Sequence, residues 1–204
     1  MSPSHRLYLI RHGEVANPNH VVYGHLPGFH LSPNGVLQAQ GTAHHLTDTE
    51  IEVVISSPLA RAVETASVIA RRHGIEPTID ERATESHQFL HWTGHRWDSI
   101  PRLFPGELEA YLEDASRVGN DETLADVAAR ITAAVDDAVV DGFRTIGVVS
   151  HQDPIQATRL ALTGRDLGEL RDDPPAHAEV VTLIREGSGA WREHARWAPT
   201  VPVG

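Results

Sequence analysis

Leu7-Tyr8-Leu9-Ile10 is an unbroken apolar run that stops at Arg11-His12-Gly13, the pattern of a buried strand ending in a polar turn. Ser32 followed by Pro33 reads as an N-cap and a proline in the first helical position. Val36, Ala39, Ala43 and Leu46 then recur at helical spacing. The same unit returns with the run Val53-Val54-Ile55, the capping signal Ser57-Pro58, and Leu59, Ala62, Val63, Ala66, Ile69 and Ala70 on one helical face. It returns a third time as the strand Ile146-Gly147-Val148-Val149 and a helix beginning at Asp153-Pro154 and running through Ile155 and Leu162. Before that third strand, Leu124, Val127, Ala128, Ile131, Val135, Ala138 and Val139 line one side of a strongly periodic helix.

Strand-helix alternation of this kind predicts an α/β fold: a three-layer sandwich with a mostly parallel sheet and helices on both faces. Residues 80 to 120 break the pattern. They hold Phe89, Phe104, Trp92, Trp97, Pro101 and Pro105, and read as a lid insertion at about 84–120 within a single domain spanning 1–204. A frayed tail is expected from Ala198 to Gly204. No long apolar stretch precedes the first strand, so a signal peptide is not expected and a cytoplasmic location is.

Composition narrows the chemistry. The chain has no Cys, which removes disulfides, thiolate metal sites and cysteine nucleophiles. All 17 basic residues are Arg, and without lysine neither Walker-type phosphate loops nor Schiff-base chemistry is available. The net charge of −11 argues against nucleic acid as a partner. The 14 His supply groups that titrate near neutrality, suited to proton transfer, metal binding or phosphate chemistry.

In open parallel sheets, ligands bind beyond the carboxyl ends of the strands. Arg11 and His12 follow the first strand, Arg61 sits one turn into the helix after the second, and His151 follows the third. These four residues are expected to converge into a cationic pocket, where arginine forks match phosphate or carboxylate oxygens.

Arg11-His12-Gly13-Glu14 resembles the signature of the histidine phosphatase superfamily, also called phosphoglycerate mutase-like. Leu31-Ser32-Pro33-Asn34-Gly35 with Gln38-Ala39, Ser56-Ser57-Pro58-Leu59-Ala60-Arg61-Ala62 with Thr65-Ala66, Glu85 after Asp80-Glu81-Arg82-Ala83-Thr84, and Val149-Ser150-His151 resemble its further segments in order and spacing. The resemblance spans residues 7 to 151 and implies a phosphomonoester hydrolase of the phosphatase branch. His12 would be the phosphorylated nucleophile. Arg11 and Arg61 would clamp the phosphoryl oxygens, His151 would stabilise their charge, and Glu85 would serve as acid and then base. It implies no metal and no cofactor, and as partner a small phosphorylated metabolite, not nucleic acid or a membrane. Oligomeric state stays open, a homodimer being allowed.

Three positions depart from the family pattern. Val15 stands where a hydroxyl is common. Pro18 takes the place of the usual asparagine, which leaves Asn17 as the candidate phosphate contact. Gln152 replaces the glycine after the second histidine and becomes a candidate substrate contact. Two alternatives remain open: mutase-type phosphoryl transfer and a non-catalytic phosphoryl-binding module.

His87, His91 and His95 recur at spacings of four. On a helix they could ligate zinc as a metal hydrolase, but Thr93-Gly94 interrupts a helix, so lining the lid is the expected role. His44-His45 is read as favourable charge at a helix end, and Asp126, Asp136 and Asp137 as a solvated face.

Overall fold

The computed structural model describes residues 4–118 and 121–200. Its elements are β1 (Ser4–Arg11), α1 (Pro33–His45), β2 (Val53–Ser56), α2 (Ala60–Arg72), β3 (Thr78–Ile79), α3 (Ile100–Leu103), α4 (Glu107–Asp114), α5 (Leu124–Val140), β4 (Thr145–Ser150), α6 (Gln152–Leu162), β5 (Val180–Glu186) and β6 (Arg192–Trp197). The strands form one sheet in the order β3-β2-β4-β1-β5-β6. β3, β2, β4 and β1 are mutually parallel, whereas β5 and β6 run antiparallel at one side. The sheet is therefore mixed, its parallel part being the one the apolar runs predict. β5 and β6 lie outside that reading.

Side chains that alternate along each strand are divided between two helical layers. Leu7 and Leu9 of β1 join Ile146 and Val148 of β4 against Ile131 and Val135 of α5. Tyr8, Ile10 and Val54 face the other way, against Ala62, Ala66 and Ile69 of α2. Each buried Val, Leu or Ile among them contributes about 1.5–3 kcal/mol over leaving it exposed. The segment 84–118 folds into short turns with α3 and α4, and its Phe89, Trp92, Ile100 and Tyr111 pack on Leu124 and Val127 of α5 and on Ala157 of α6.

Two helix starts differ from expectation. α2 begins at Ala60 with the apolar Leu59 in the capping position and no side-chain cap; the Ser57 hydroxyl accepts from the Leu59 amide at 3.3 Å and lies 2.8 Å from Nε2 of His151. α6 begins at Gln152 with His151 in the capping position, and the Asp153 carboxylate accepts the Tyr111 hydroxyl at 2.6 Å instead of capping. Ser32 caps α1 as expected, accepting from the amide of Gly35 at 2.9 Å. His44 and His45 occupy the last turn of α1, and the His45 ring also stacks on Trp197 at 4.1 Å. On α5, Asp126 closes a capping box with Thr123 and Asp137 accepts from Arg82 at 2.6 Å. Of the expected frayed tail, residues 201–204 lie outside the described residues.

The register sets the site. Arg11 pairs with Ser150 and Ser56 with Val149, so β1, β4 and β2 end level. The ladder continues one step beyond, with the amide of His12 donating to Ser150 at 2.9 Å and that of Ser57 to Val149 at 3.0 Å. His12, Ser57 and His151 are the first residues past one edge of the sheet.

Candidate active site

The turn after β1 is held by close backbone contact. A Cβ on Gly13 would lie 2.5 Å from the Gly35 carbonyl oxygen, and one on Gly35 would lie 2.0 Å from the Glu14 oxygen. Only glycine fits either position. Glu14 ties the turn to α1, accepting from Ser32 at 2.6 Å and Asn34 at 2.9 Å. His12 leaves this turn buried, with 2% of its surface exposed. Its Nδ1 donates to the carbonyl of its neighbour Gly13 at 2.7 Å, which places the ring proton there and leaves Nε2 bare. Burial, and then Arg61 and Arg11, hold its pKa well below the ordinary value. The imidazole is neutral, with its lone pair on Nε2.

Arg61, one turn into α2, aims its Nε at that lone pair across 3.2 Å. It is pinned by a bond from Nη2 to the Gly24 carbonyl at 2.8 Å and by stacking over Tyr23 at 4.7 Å. Arg11 is held by neutral acceptors: Gln152 Oε1 at 2.7 Å, the Pro175 carbonyl at 2.9 Å and His177 Nε2 at 2.9 Å. None of these partners offsets its charge. Burial, and then Arg11, push His177 down to about 4, so it stays an acceptor.

His151 is fully buried. Its ring centroid lies 5.1 Å from that of His12, and burial, followed by Arg61, lowers its pKa strongly. Among the described residues its Nδ1 has no hydrogen-bond partner, and it lies 3.6 Å from Glu85 Oε2. Glu85 also lies 3.9 Å from Arg61. Burial raises the Glu85 pKa to about 7, with Asp153 adding to the rise while Arg61 and Arg11 oppose it. A carboxyl that titrates near neutrality beside two guanidinium groups can both give and take a proton.

Beside them lies a cavity of about 500 Å³ whose wall includes Arg11, Tyr23, Glu85, Gln152 and His177, with His12, Arg61 and His151 behind that wall. The structure therefore brings together His12, Arg11, Arg61, His151, Glu85 and Gln152. Asn17 spends both ends of its amide on the backbone of Val21, at 2.9 and 3.1 Å, and does not line the cavity. His87, His91 and His95 do not converge. His87 contacts Glu122 at 3.2 Å and stacks on His25, His91 donates to Glu107 at 2.6 Å, and His95 packs on Phe104. Among the described residues, no three His, Cys, Asp or Glu side chains form a metal-holding group. No helix of the described residues is long and apolar enough to cross a membrane.

Sequence reasoning missed His177, Tyr23, Ser57 as a partner of His151, and the Tyr111–Asp153 bond. His177 arrives because β5 runs antiparallel to β1: Val180, at the start of β5, pairs with Ile10, near the end of β1. The residues preceding β5 thus emerge where β1 finishes. The signal that could have found it is the β-branched, strand-forming run Val180-Val181-Thr182-Leu183-Ile184 preceded by Pro174-Pro175 and a histidine.

A family model described as the histidine phosphatase superfamily (branch 1) matches residues 7–197. The chain is 39% identical over 191 residues to the uncharacterized protein Rv0525 of Mycobacterium tuberculosis, covering 89% of this chain and 91% of that one. It is 30% identical over 168 residues to phosphoserine phosphatase 1 of Hydrogenobacter thermophilus, covering 80% and 79%. The native structure of mycobacterial glucosyl-3-phosphoglycerate phosphatase Rv2419c is similar with a TM-score of 0.84 at 27% identity, covering 97% of this chain and 100% of that one. With the family pattern running through β1 to β6 and the two histidines and two arginines gathered at one sheet edge, the chain belongs to branch 1 of the histidine phosphatase superfamily.

Proposed function

We propose that the chain is a phosphomonoester hydrolase acting on a small phosphorylated metabolite through a phosphohistidine at Nε2 of His12. The observation that carries this reading is the state of that nitrogen: unprotonated because Nδ1 is tied to Gly13, neutral because of burial and two guanidinium groups, and faced by Arg61. In the first step the Nε2 lone pair attacks phosphorus while the bond from phosphorus to the alcohol oxygen breaks. The Glu85 carboxyl gives its proton to that oxygen. In the second step the Glu85 carboxylate takes a proton from water, the resulting hydroxide attacks phosphorus, and the P–N bond breaks with its electron pair returning to Nε2. Inorganic phosphate leaves, and Glu85 is again protonated.

Arg11, Arg61 and His151 hold the equatorial oxygens, where the transition-state charge is spread. Gln152 positions Arg11, and Asn17 shapes the loop that delivers Tyr23 and Gly24. The guanidinium groups of Arg61 and of Arg11, the latter held by neutral acceptors, supply the electrostatic role that a metal takes in other phosphoryl-transfer sites, so the reaction is metal-independent and persists in EDTA. The names of two relatives, phosphoserine phosphatase and glucosyl-3-phosphoglycerate phosphatase, support water as the acceptor over a mutase cycle.

The test is rapid quench with a radiolabelled phosphomonoester. An acid-labile, base-stable label on His12 is expected, and His12→Ala is expected to abolish it and lower turnover about 10³-fold or more. Wild-type rates in that variant would overturn the reading. Binding without turnover by the unaltered chain would favour the non-catalytic module, and isomerisation without phosphate release the mutase.

A further inference from the structure

We infer that the alcohol carried by the natural phosphomonoester is neutral, largely apolar and larger than a three-carbon acid, and that it lies along the segment 84–118 from the phosphoryl pocket out to the surface. This rests on the reading given under Proposed function. The first observation is the wall. Away from Arg11, the cavity wall includes Phe89, Leu90, Trp92, Trp97, Leu108 and Leu112, with His25, Ser86, Gln88 and Thr93 among its neutral polar members. The indole N–H of Trp92, the polar atom of that ring, is already donated to Glu107 at 2.8 Å, so the ring offers the cavity its apolar face. A space of about 500 Å³ is in the range that encloses drug-sized ligands.

The second observation is continuity with the surface. Leu90, Trp97 and Leu112 line the cavity and are also 38%, 45% and 50% exposed. Large apolar side chains left in water at the mouth of an apolar cavity lower their free energy when a ligand covers them.

The third observation is charge. Outside the phosphoryl pocket the cavity carries one cation, Arg171, and one carboxylate, Asp153. The Tyr111 hydroxyl joins them, donating to Asp153 at 2.6 Å and accepting from Arg171 at 3.2 Å. The Arg171 guanidinium also lies over the Tyr111 ring at 5.2 Å. One hydroxyl thus holds both groups in place. A leaving group with its own carboxylate or ammonium would have to break this arrangement, whereas a neutral apolar one leaves it intact.

The experiment compares kcat/KM for ethyl, butyl, hexyl and octyl phosphate, each below its micellar concentration, with phosphoserine and 3-phosphoglycerate. Leaving-group acidity is nearly constant along the alkyl series, so the slope reads burial of the chain. The expected slope is about two- to fourfold per added methylene, with octyl phosphate exceeding both charged esters. Trp97→Ala and Leu112→Ser, at half-exposed positions that the fold tolerates, are each expected to lower the octyl-to-ethyl ratio about fivefold or more. A flat series, an unchanged ratio in both variants, or faster hydrolysis of either charged ester overturns the assignment and leaves the phosphatase reading standing. No turnover of any ester, with no label on His12, overturns both.

Discussion

Nε of Arg61 lies 3.2 Å from Nε2 of His12, the same nitrogen that the contact from Nδ1 to Gly13 leaves without a proton. The guanidinium is thus aimed at the atom that would carry the phosphoryl group, and it is held there by Gly24 and Tyr23. Lysine at this position keeps a positive charge but loses the planar fork and the bond to Gly24. Arg61→Lys is expected to lower kcat about 10²–10³-fold with a smaller change in KM, as measured by steady-state hydrolysis of an alkyl phosphate. A variant within tenfold of the unaltered protein would remove Arg61 from the transition state.

Glu85 must carry its proton to act on the departing alcohol, and burial holds its pKa up at about 7. Raising the pH through that value removes the proton. For alkyl esters, kcat/KM is expected to fall about tenfold per pH unit above 7. Glu85→Gln is expected to slow alkyl esters about 10²–10³-fold while p-nitrophenyl phosphate, whose leaving group needs little protonation, loses less than about tenfold. Equal losses for the two substrates would assign the acid to another group.

His177 carries a stability signature. Its folded-state value near 4 lies below the ordinary histidine value of 6.5, so between these two the unfolded chain binds more protons than the folded one. Stability then rises with pH through this window and is lost as pH falls from 6.5 toward 4. His177→Gln retains an acceptor for Arg11 but does not titrate. Urea denaturation at pH 7 and pH 5 is expected to show a drop in unfolding free energy that is smaller in the variant by about 1–2 kcal/mol. The same pH slope in both proteins would place the proton uptake elsewhere.

Gly35 is tested by a single methyl group. In Gly35→Ala the new Cβ would meet the Glu14 carbonyl oxygen at 2.0 Å, and rigid backbone on both sides leaves the strain no flexible side chain to absorb it. A loss of about 2 kcal/mol or more is expected in thermal or urea unfolding. Activity should fall as well, because the displaced turn carries His12. A variant as stable as the original would mean that α1 shifts without cost.

The elements that could be read from the chain are those whose signal is local. β1, β2, β4 and the buried faces of α1, α2 and α5 follow from apolar periods a few residues long, and Ser32 caps α1 as its neighbours suggest. The starts of α2 and α6 were not legible. Ser57 and Asp153 look like caps by their sequence neighbours, yet the cap position of α2 falls on Leu59 while Ser57 meets a histidine 94 positions away, and Asp153 is claimed by a tyrosine 42 positions away. His177 was hidden for the same reason: nothing near it in the chain says that β5 will lie beside β1.

The amino-acid order by itself determined that basic and imidazole groups follow successive parallel strands, and hence that Arg11, His12, Arg61 and His151 would meet at one sheet edge. Only the tertiary structure decided which nitrogen of His12 is bare, that Glu85 holds its proton near neutrality, and that Phe89, Leu90, Trp92, Trp97, Leu108 and Leu112 gather on one cavity wall. The division has a physical cause. Strands and helices respond to residues within a turn or two, whereas tautomers, proton affinities and cavity walls respond to burial and to charges delivered by segments far apart along the chain.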